Sequence, residues 1–267
     1  QVLAISVLPV EDNLPIIFSL NVASIAENTL SSTVVLDVAA ADADLPVPLL
    51  TYSLAGPDAV RFSITSTTGE IRFLASPDFE APVDQDGDNH YQVTVSASEA
   101  NGQIAIQNIT ISVMPLNDNS PLITSPGTVS IAENALSSTV VLDVNATDSD
   151  QTAQVLTYSL AGADNALFNI ELSTGRIRFL NSPDFETSAD EDHNNVYELL
   201  VTVSDGNGGS QSQVLNVAVL PVNDNAPVIG SPNSATVSEN TSSSAVVLDV
   251  DATDADLPAL TLTYSLS

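Results

Sequence analysis

The sequence predicts an all-β protein built from tandem antiparallel β-sandwich repeats. Short runs rich in Val, Ile, Leu and Thr alternate apolar and polar residues, turn dipeptides separate them, and the whole pattern returns after 106 residues. Tyr91, Val93, Val95 and Ala97 alternate with Gln92, Thr94 and Ser96, the period-two mark of a half-buried strand. No segment holds a helical period. Six or seven such runs in about 100 residues, punctuated by turns, describe a sandwich of two sheets.

Within the first full repeat, strands are expected at Ile16–Leu20, Thr33–Val38, Leu50–Leu54, Ile71–Leu74, Tyr91–Ala97 and Ile104–Val113. Alternation in the last is less clean, with Ile104 and Ile106 on the face opposite Ile109, Ile111 and Val113. Thr68-Gly69 and Asn101-Gly102, with their copies Thr174-Gly175 and Asn207-Gly208, read as hairpin turns. The expected core is Val34, Leu36, Tyr52, Leu54, Phe62, Ile64, Ile71, Phe73, Val93 and Val95, with all five Tyr (52, 91, 158, 197 and 264) inside strands.

The period divides the chain into a tail (1–13), two full repeats (14–119 and 120–225) and a truncated third (226–267), which reads as a fragment of something longer. Acidic clusters recur in register. Ala26-Glu27-Asn28 returns as Ala132-Glu133-Asn134 and Ser238-Glu239-Asn240, Asp78-Phe79-Glu80 as Asp184-Phe185-Glu186, and Asn117-Asp118-Asn119 as Asn223-Asp224-Asn225, with Glu11-Asp12-Asn13 a weaker copy upstream. Asp42-Ala43-Asp44 returns as Asp148-Ser149-Asp150 and Asp254-Ala255-Asp256. Residues 25–38 and 131–144 differ at one position, so recent copying explains part of this register. The third copy has drifted elsewhere and still keeps Glu239, Asp254 and Asp256. Repeated clusters of carboxylates and amides suit a hard cation such as Ca2+, which takes six to eight oxygens.

Composition narrows the function further. Against 34 Asp and Glu stand four Arg and no Lys, for a formal charge of −30. Nucleic acid binding needs basic surface and is excluded. Disorder is excluded too, because 43% of residues are hydrophobic and fall in regular runs. There is no Cys for disulfides or thiolate metal sites, and no run is long and apolar enough to span a bilayer. His90 and His193 do not coincide on the repeat and read as surface residues, which leaves nothing for a Ser-His-Asp arrangement. With no Trp to line a sugar site, no catalysis is expected.

These motifs, in this order and spacing, resemble a cadherin repeat of the bacterial cadherin-like type. The resemblance rests on Glu27/Glu133/Glu239, the Asp-x-Glu pairs, the Asn-Asp-Asn linkers followed by Pro121 and Pro227, the Asp-x-Asp pairs and the Asp205-Gly-Asn-Gly segment. It implies an Ig-like Greek-key sandwich with Ca2+ held between repeats. The first set is then Glu27, Asp78, Glu80, Asn117, Asp118, Asn119, Asp148, Asp150 and Asp205. The second is Glu133, Asp184, Glu186, Asn223, Asp224, Asn225, Asp254 and Asp256, and the partial upstream set is Glu11, Asp12, Asn13, Asp42 and Asp44. Glu99 stands where the next repeat has Asp205.

Two departures from the family stand out. Pro115 and Pro221 replace an Asp that usually precedes the linker, and an insert, Asp84-Gln85-Asp86-Gly87-Asp88-Asn89, follows Asp-x-Glu. The insert reads as a solvated hairpin tip rather than a calcium loop. The resemblance implies an extracellular, cell-surface adhesion array whose partners are other surface proteins, glycans or a copy of itself. A passive spacer in a large secreted adhesin and a substrate-binding module of a secreted enzyme are the alternatives.

Overall fold

The computed structural model describes all residues except 1, 9, 11, 45–46, 151–153, 260 and 267. It divides into two compact units, Gln1–Asp118 with Asp150–Ala153, and Asn119–Ser149 with Gln154–Ser267.

The first unit contains strands β1 (Ile16–Ile17), β2 (Val22–Ala26), β3 (Leu36–Asp37), β4 (Ala40–Ala41), β5 (Thr51–Ala55), β6 (Phe62–Ile64), β7 (Glu70–Phe73), β8 (His90–Ser98) and β9 (Ile104–Met114). A four-stranded sheet, β2-β9-β8-β5, faces a three-stranded sheet, β3-β7-β6, while β1 pairs with β4. The alternation read in β8 is the alternation observed: Tyr91, Val93, Val95 and Ala97 are all buried. They meet Ile109, Ile111 and Val113 of β9 and, from the smaller sheet, Phe62, Ile71 and Phe73. Tyr91 stands edge-on to both Phe62 and Phe73, at ring centroid distances of 5.7 and 5.1 Å, a geometry that aromatic quadrupoles favour.

The second unit repeats this plan with β10 (Leu122–Ile123), β11 (Thr128–Ala132), β12 (Leu142–Asp143), β13 (Ala146–Thr147), β14 (Thr157–Ala161), β15 (Phe168–Ile170), β16 (Arg176–Phe179), β17 (Val196–Ser204) and β18 (Ser210–Leu220). Phe168, Phe179 and Tyr197 rebuild the aromatic cluster. Within this unit, the described residues from 226 onward form only β19 (Val228–Ile229) and β20 (Ala252–Thr253), paired with each other.

Sequence and structure differ at several points. The expected strand at Ile16–Leu20 stops at Ile17. The chain then changes sheets and forms β2, which was not anticipated and runs parallel to β9, Val22 facing Thr110. Every other ladder of the first unit is antiparallel, and in the second unit β11 likewise pairs in parallel with β18. A parallel pair needs a long crossover, and here the whole repeat between β2 and β9 serves as one. Of Thr33–Val38, only Leu36–Asp37 joins a ladder, and Val34 is exposed rather than core. Tyr264 is 57% exposed because the segment around it lacks the strands that cover its counterpart Tyr158.

The hairpin turn at Thr68-Gly69 is present: Gly69 has φ +83° and lies so close to Val38 that a Cβ would sit 2.3 Å from its carbonyl oxygen. The acidic insert is not simply solvated. Asp84 is buried and accepts bonds from the Asp88 and Asn89 amides. Asp58, also buried, ties the insert down by accepting Gln85 N at 2.8 Å and Gln92 N at 2.7 Å. Asp164 does the same for Glu191 and Glu198.

Candidate metal centre

The first two Glu-Asn motifs follow the last residues of β2 and β11, and the backbone explains their two residues. Glu27 N continues the ladder by donating to the Met114 carbonyl, and Asn28 then turns at φ 59°. Asn134 and Asn240 turn likewise at φ 59° and 63°. Asn tolerates this left-handed conformation better than most residues. The turn aims the Asn28 amide at the linker, where Nδ2 donates to the Asp118 carboxylate, and Asn134 treats Asp224 in the same way.

Glu27 is buried, and both its oxygens are used by the backbone. Phe79 N donates to Oε2 at 2.8 Å and Leu116 N to Oε1 at 2.6 Å. One carboxylate thus joins the Asp-x-Glu motif and the start of the linker to the end of β2. Glu133 does the same with Phe185 N at 2.8 Å and Val222 N at 2.6 Å. The sequence placed this Glu among candidate ligands and gave no sign of its second role, because the amides involved lie 52 and 89 residues away.

Around this anchor the acids converge. In the first unit, Glu27, Glu80 and Asp118 bring carboxylate oxygens within 4.8 Å of one another. Asp150, grouped with that unit, adds its charge to Glu80 and Asp118. Glu80 is pushed up to about 7, first by burial and then by Glu27, and its Oε1 is buried without a hydrogen-bond partner. Asp118 is also pushed up by burial, Glu27 and Asp150. Asp78 stays exposed beside this trio, accepting the Glu80 and Ala81 amides on Oδ1. Asn117 and Asn119 flank Asp118, half-buried.

In the second unit, Glu133, Asp184 and Glu186 form one such group, and Glu186, Asp224 and Asp256 form another that shares Glu186. Thr187 holds the Asp184 carboxyl below the usual range. Burial pushes Glu186 up, although the Leu257 amide at 3.1 Å partly offsets it. Asp256 is buried and accepts Asn225 N at 3.0 Å and Asn225 Nδ2 at 2.9 Å, which keeps its carboxyl low. Asp254 Oδ1 accepts Asp256 N at 3.0 Å. Asn223 is exposed with its neighbours Asp224 and Asn225.

The upstream set follows the same plan. Asp44 is buried and accepts Asn13 N at 3.1 Å, and Asp42 accepts Asp44 N at 2.7 Å. Asp12 receives the Asn13 side-chain amide at 3.3 Å. Glu11 lies outside the described residues. Glu99 takes up the expected place, facing Asp42, and burial and that carboxylate push it up.

Asp148 and Asp205 belong to the second unit. Asp148 is half-buried. Asp205 is buried in the hairpin after β17, where Oδ1 accepts Asn207 N at 2.7 Å and Gly209 N at 3.1 Å. A Cβ on Gly209 would stand 2.2 Å from Asp205 Oδ2 and 2.8 Å from the Asn119 carbonyl oxygen. Only glycine leaves the carboxylate and that linker carbonyl room to share one cradle. Repeat 1 has Gln103 at the matching position.

This donor set fits a hard divalent cation. It is all oxygen, and several of the converging carboxylate oxygens (Glu80 Oε1, Asp42 Oδ2, Glu99 Oε1 and Asp256 Oδ2) are buried with no hydrogen-bond partner. Buried polar atoms are nearly always paired. Carboxylates that crowd one another and stay unsatisfied are the arrangement a cation resolves. Asp84, Asp86 and Asp88 of the insert also approach within 4.8 Å, but Asp84 is already engaged by the backbone amides of its own loop.

Comparison with known proteins agrees with the fold. Residues 127–220 match the Cadherin domain family. Protocadherin Fat 4 of Mus musculus is 32% identical over 247 residues, covering 89% of this chain and 5% of that protein. Protocadherin Fat 1 of Homo sapiens is 29% identical over 274 residues, covering 99% of this chain and 6% of that protein. The chain therefore spans a small fraction of the length of these relatives. Among solved structures, mouse cadherin-23 EC22-24 superimposes with a TM-score of 0.70 at 27% identity, covering 92% of this chain and 79% of that one. With the family match on one repeat, the 106-residue copy of its core and acids in the other, and relatives aligned across both, this chain is an array of tandem cadherin repeats.

Proposed function

We propose that the chain is a Ca2+-binding, extracellular adhesive array whose linkers are stiffened by the ion. The observation that carries this reading is the convergence of Glu27, Glu80 and Asp118 with Glu80 Oε1 buried and unpartnered. Calcium supplies a divalent charge and six to eight coordination positions. The residues that would hold it at the first linker are Glu27, Asp78, Glu80, Asn117, Asp118, Asn119, Asp148, Asp150 and Asp205. At the second they are Glu133, Asp184, Glu186, Asn223, Asp224, Asn225, Asp254 and Asp256, and upstream Asp12, Asn13, Asp42 and Asp44 with Glu11.

The chain's own contribution is positional. Glu27 and Glu133 fix the Asp-x-Glu motif and the linker to a strand end, Asn28 and Asn134 steady the linker Asp, and Asp44 and Asp256 grip the linker Asn. Without the ion, the gathered carboxylates repel one another through a Debye length of about 8 Å. Other cell-surface proteins, glycans and a second copy of this chain are the partner classes that such an array serves.

A spacer role within a large secreted adhesin is the second reading, favoured by the single difference between residues 25–38 and 131–144. A substrate-binding module would need an aromatic platform, whereas Tyr91, Tyr158 and Tyr197 are buried.

Small-angle scattering in millimolar calcium and then in chelator tests the proposal, since extracellular calcium modules bind at roughly 10⁻⁴–10⁻³ M. An extended profile that turns flexible on chelation is expected. An unchanged profile would sink the linker role of the ion.

A further inference from the structure

We propose that Asn207 is a site of spontaneous covalent modification, where the hairpin between β17 and β18 converts to aspartyl and isoaspartyl forms. The chain has two Asn-Gly dipeptides, Asn101-Gly102 and Asn207-Gly208. They occupy matching hairpins of the two repeats, and all four residues are exposed. The chemistry needs an Asn carboxamide and a following backbone nitrogen that can reach it, with no side chain in the way. The Gly208 nitrogen gives its proton to hydroxide and bonds to Asn207 Cγ. The Cγ–Nδ2 bond breaks, ammonia leaves and a succinimide ring closes. Water then opens the ring at either carbonyl. One opening leaves an aspartyl residue on the normal backbone, and the other leaves an isoaspartyl link in which the backbone runs through the former side chain.

The two hairpins treat the attacking nitrogen differently. In repeat 1, Gly102 N donates to the Glu99 carbonyl at 3.1 Å. The carboxamide beside it is held as well: Asn101 Nδ2 donates to Glu99 Oε2 at 2.9 Å, and Asn101 Oδ1 accepts Gln103 N at 2.9 Å. An amide engaged in this way must open before it can react. In repeat 2, no group among the described residues accepts from the Gly208 amide. The flanking residues differ too. Ala100 and Gln103 become Gly206 and Gly209, which leaves Asn207 between glycines on both sides. Gly206 and Gly208 turn at φ +81° and +118° with nothing within 4 Å of the place a Cβ would take. Glycine adds backbone freedom, and the open space lets the nitrogen swing toward Cγ.

The product falls inside the Asp205 cradle. Asp205 Oδ1 accepts Asn207 N at 2.7 Å and Gly209 N at 3.1 Å, so the bond that rearranges lies between the two amides that hold this carboxylate. An isoaspartyl link lengthens the backbone there by a methylene. The cradle has no slack to absorb it, since a Cβ on Gly209 would already stand 2.8 Å from the Asn119 carbonyl oxygen. The isoaspartyl form therefore displaces Asp205, whereas the aspartyl form adds a carboxylate and keeps the backbone. That consequence rests on the proposed calcium role of Asp205, and the modification itself does not.

The test is peptide mapping by mass spectrometry of the whole folded chain, aged in mildly alkaline buffer with chelator. Asn207 should convert at least about fivefold faster than Asn101, about 1 kcal/mol in barrier. The rate should rise with pH, because the attacking nitrogen must lose its proton. Unfolded in urea, where neither nitrogen is held, the two sites should convert at similar rates. Asn207→Gln, whose longer side chain closes a six-membered ring only slowly, should abolish the isoaspartyl product while the melt stays unchanged. Equal rates in the folded chain, faster conversion at Asn101, a difference that survives urea, or isoaspartate that persists in Asn207→Gln would each overturn the proposal. Calcium titration then reads the consequence. The purified isoaspartyl chain should bind a few-fold more weakly than the unmodified chain, and Asn207→Asp should not. Equal affinity would overturn the effect on the cradle. If no form binds calcium, the linker proposal fails while the conversion measured in chelator stands.

Discussion

Repeats 1 and 2 show which features travel together. The aromatic cluster, the anchoring Glu and the Asp-x-Glu motif are the same in both, down to amide distances of 2.8 and 2.6 Å on Glu27 and Glu133. Among the places that diverge are the hairpin holding Glu99 or Asp205, the acidic insert and the outer sheet face. The shared parts are those whose loss leaves buried groups unsatisfied or a core unfilled. The divergent parts lie outside the core: the hairpin carboxylate is held by its own loop, as Asp205 is by the Asn207 and Gly209 amides, and the sheet face is open to solvent.

The largest expected effect breaks what is shared. Tyr91→Ala removes the ring between the two Phe side chains and should cost about 3–5 kcal/mol in urea denaturation. Glu27→Ala strands the Phe79 and Leu116 amides and should cost about 2–3 kcal/mol even in chelator. A purely ligating Glu27 would show that loss only in calcium.

Glu80→Gln and Asp118→Ala probe the ligand role without touching the core. Neither should lower the metal-free melt, since each removes a carboxylate from a repelling cluster, while both weaken calcium binding at least about tenfold by calorimetry, about 1.4 kcal/mol or more. If either unfolds the repeat, these acids do core work and the linker proposal fails.

The pH dependence sharpens the same point. The folded Glu80 carboxyl is raised from 4.5 to about 7. Between those values the folded state holds a proton that the unfolded chain has released. Glu80 therefore makes metal-free stability fall as pH rises from about 4.5 to about 7, with no further loss above. Glu80→Gln should remove that part of the slope in chelated urea melts across this range. The smallest effect concerns the divergent hairpin: Glu99→Asp with Gln103→Gly rebuilds the second repeat's cradle in the first and should tighten upstream calcium binding a few-fold by titration. No change would mean the cradle is not a determinant of affinity.

Much of this was legible in the sequence. The burial of Tyr91, Val93 and Val95 follows from strict alternation, and the Gly69 turn from its dipeptide, because strand faces and turns are set by neighbours in the chain. The 106-residue register picked out the acids that converge as Glu27–Glu80–Asp118 and Glu186–Asp224–Asp256. The exposed Val34, the sheet change after Ile17 and the parallel β2 were not legible, since hydropathy marks a strand without naming its partner. The anchoring by Glu27 and by Asp58 and the orphaned oxygen of Glu80 were decided only in the tertiary structure. Each depends on residues tens of positions apart being brought within hydrogen-bonding distance, and chain order alone does not encode that proximity.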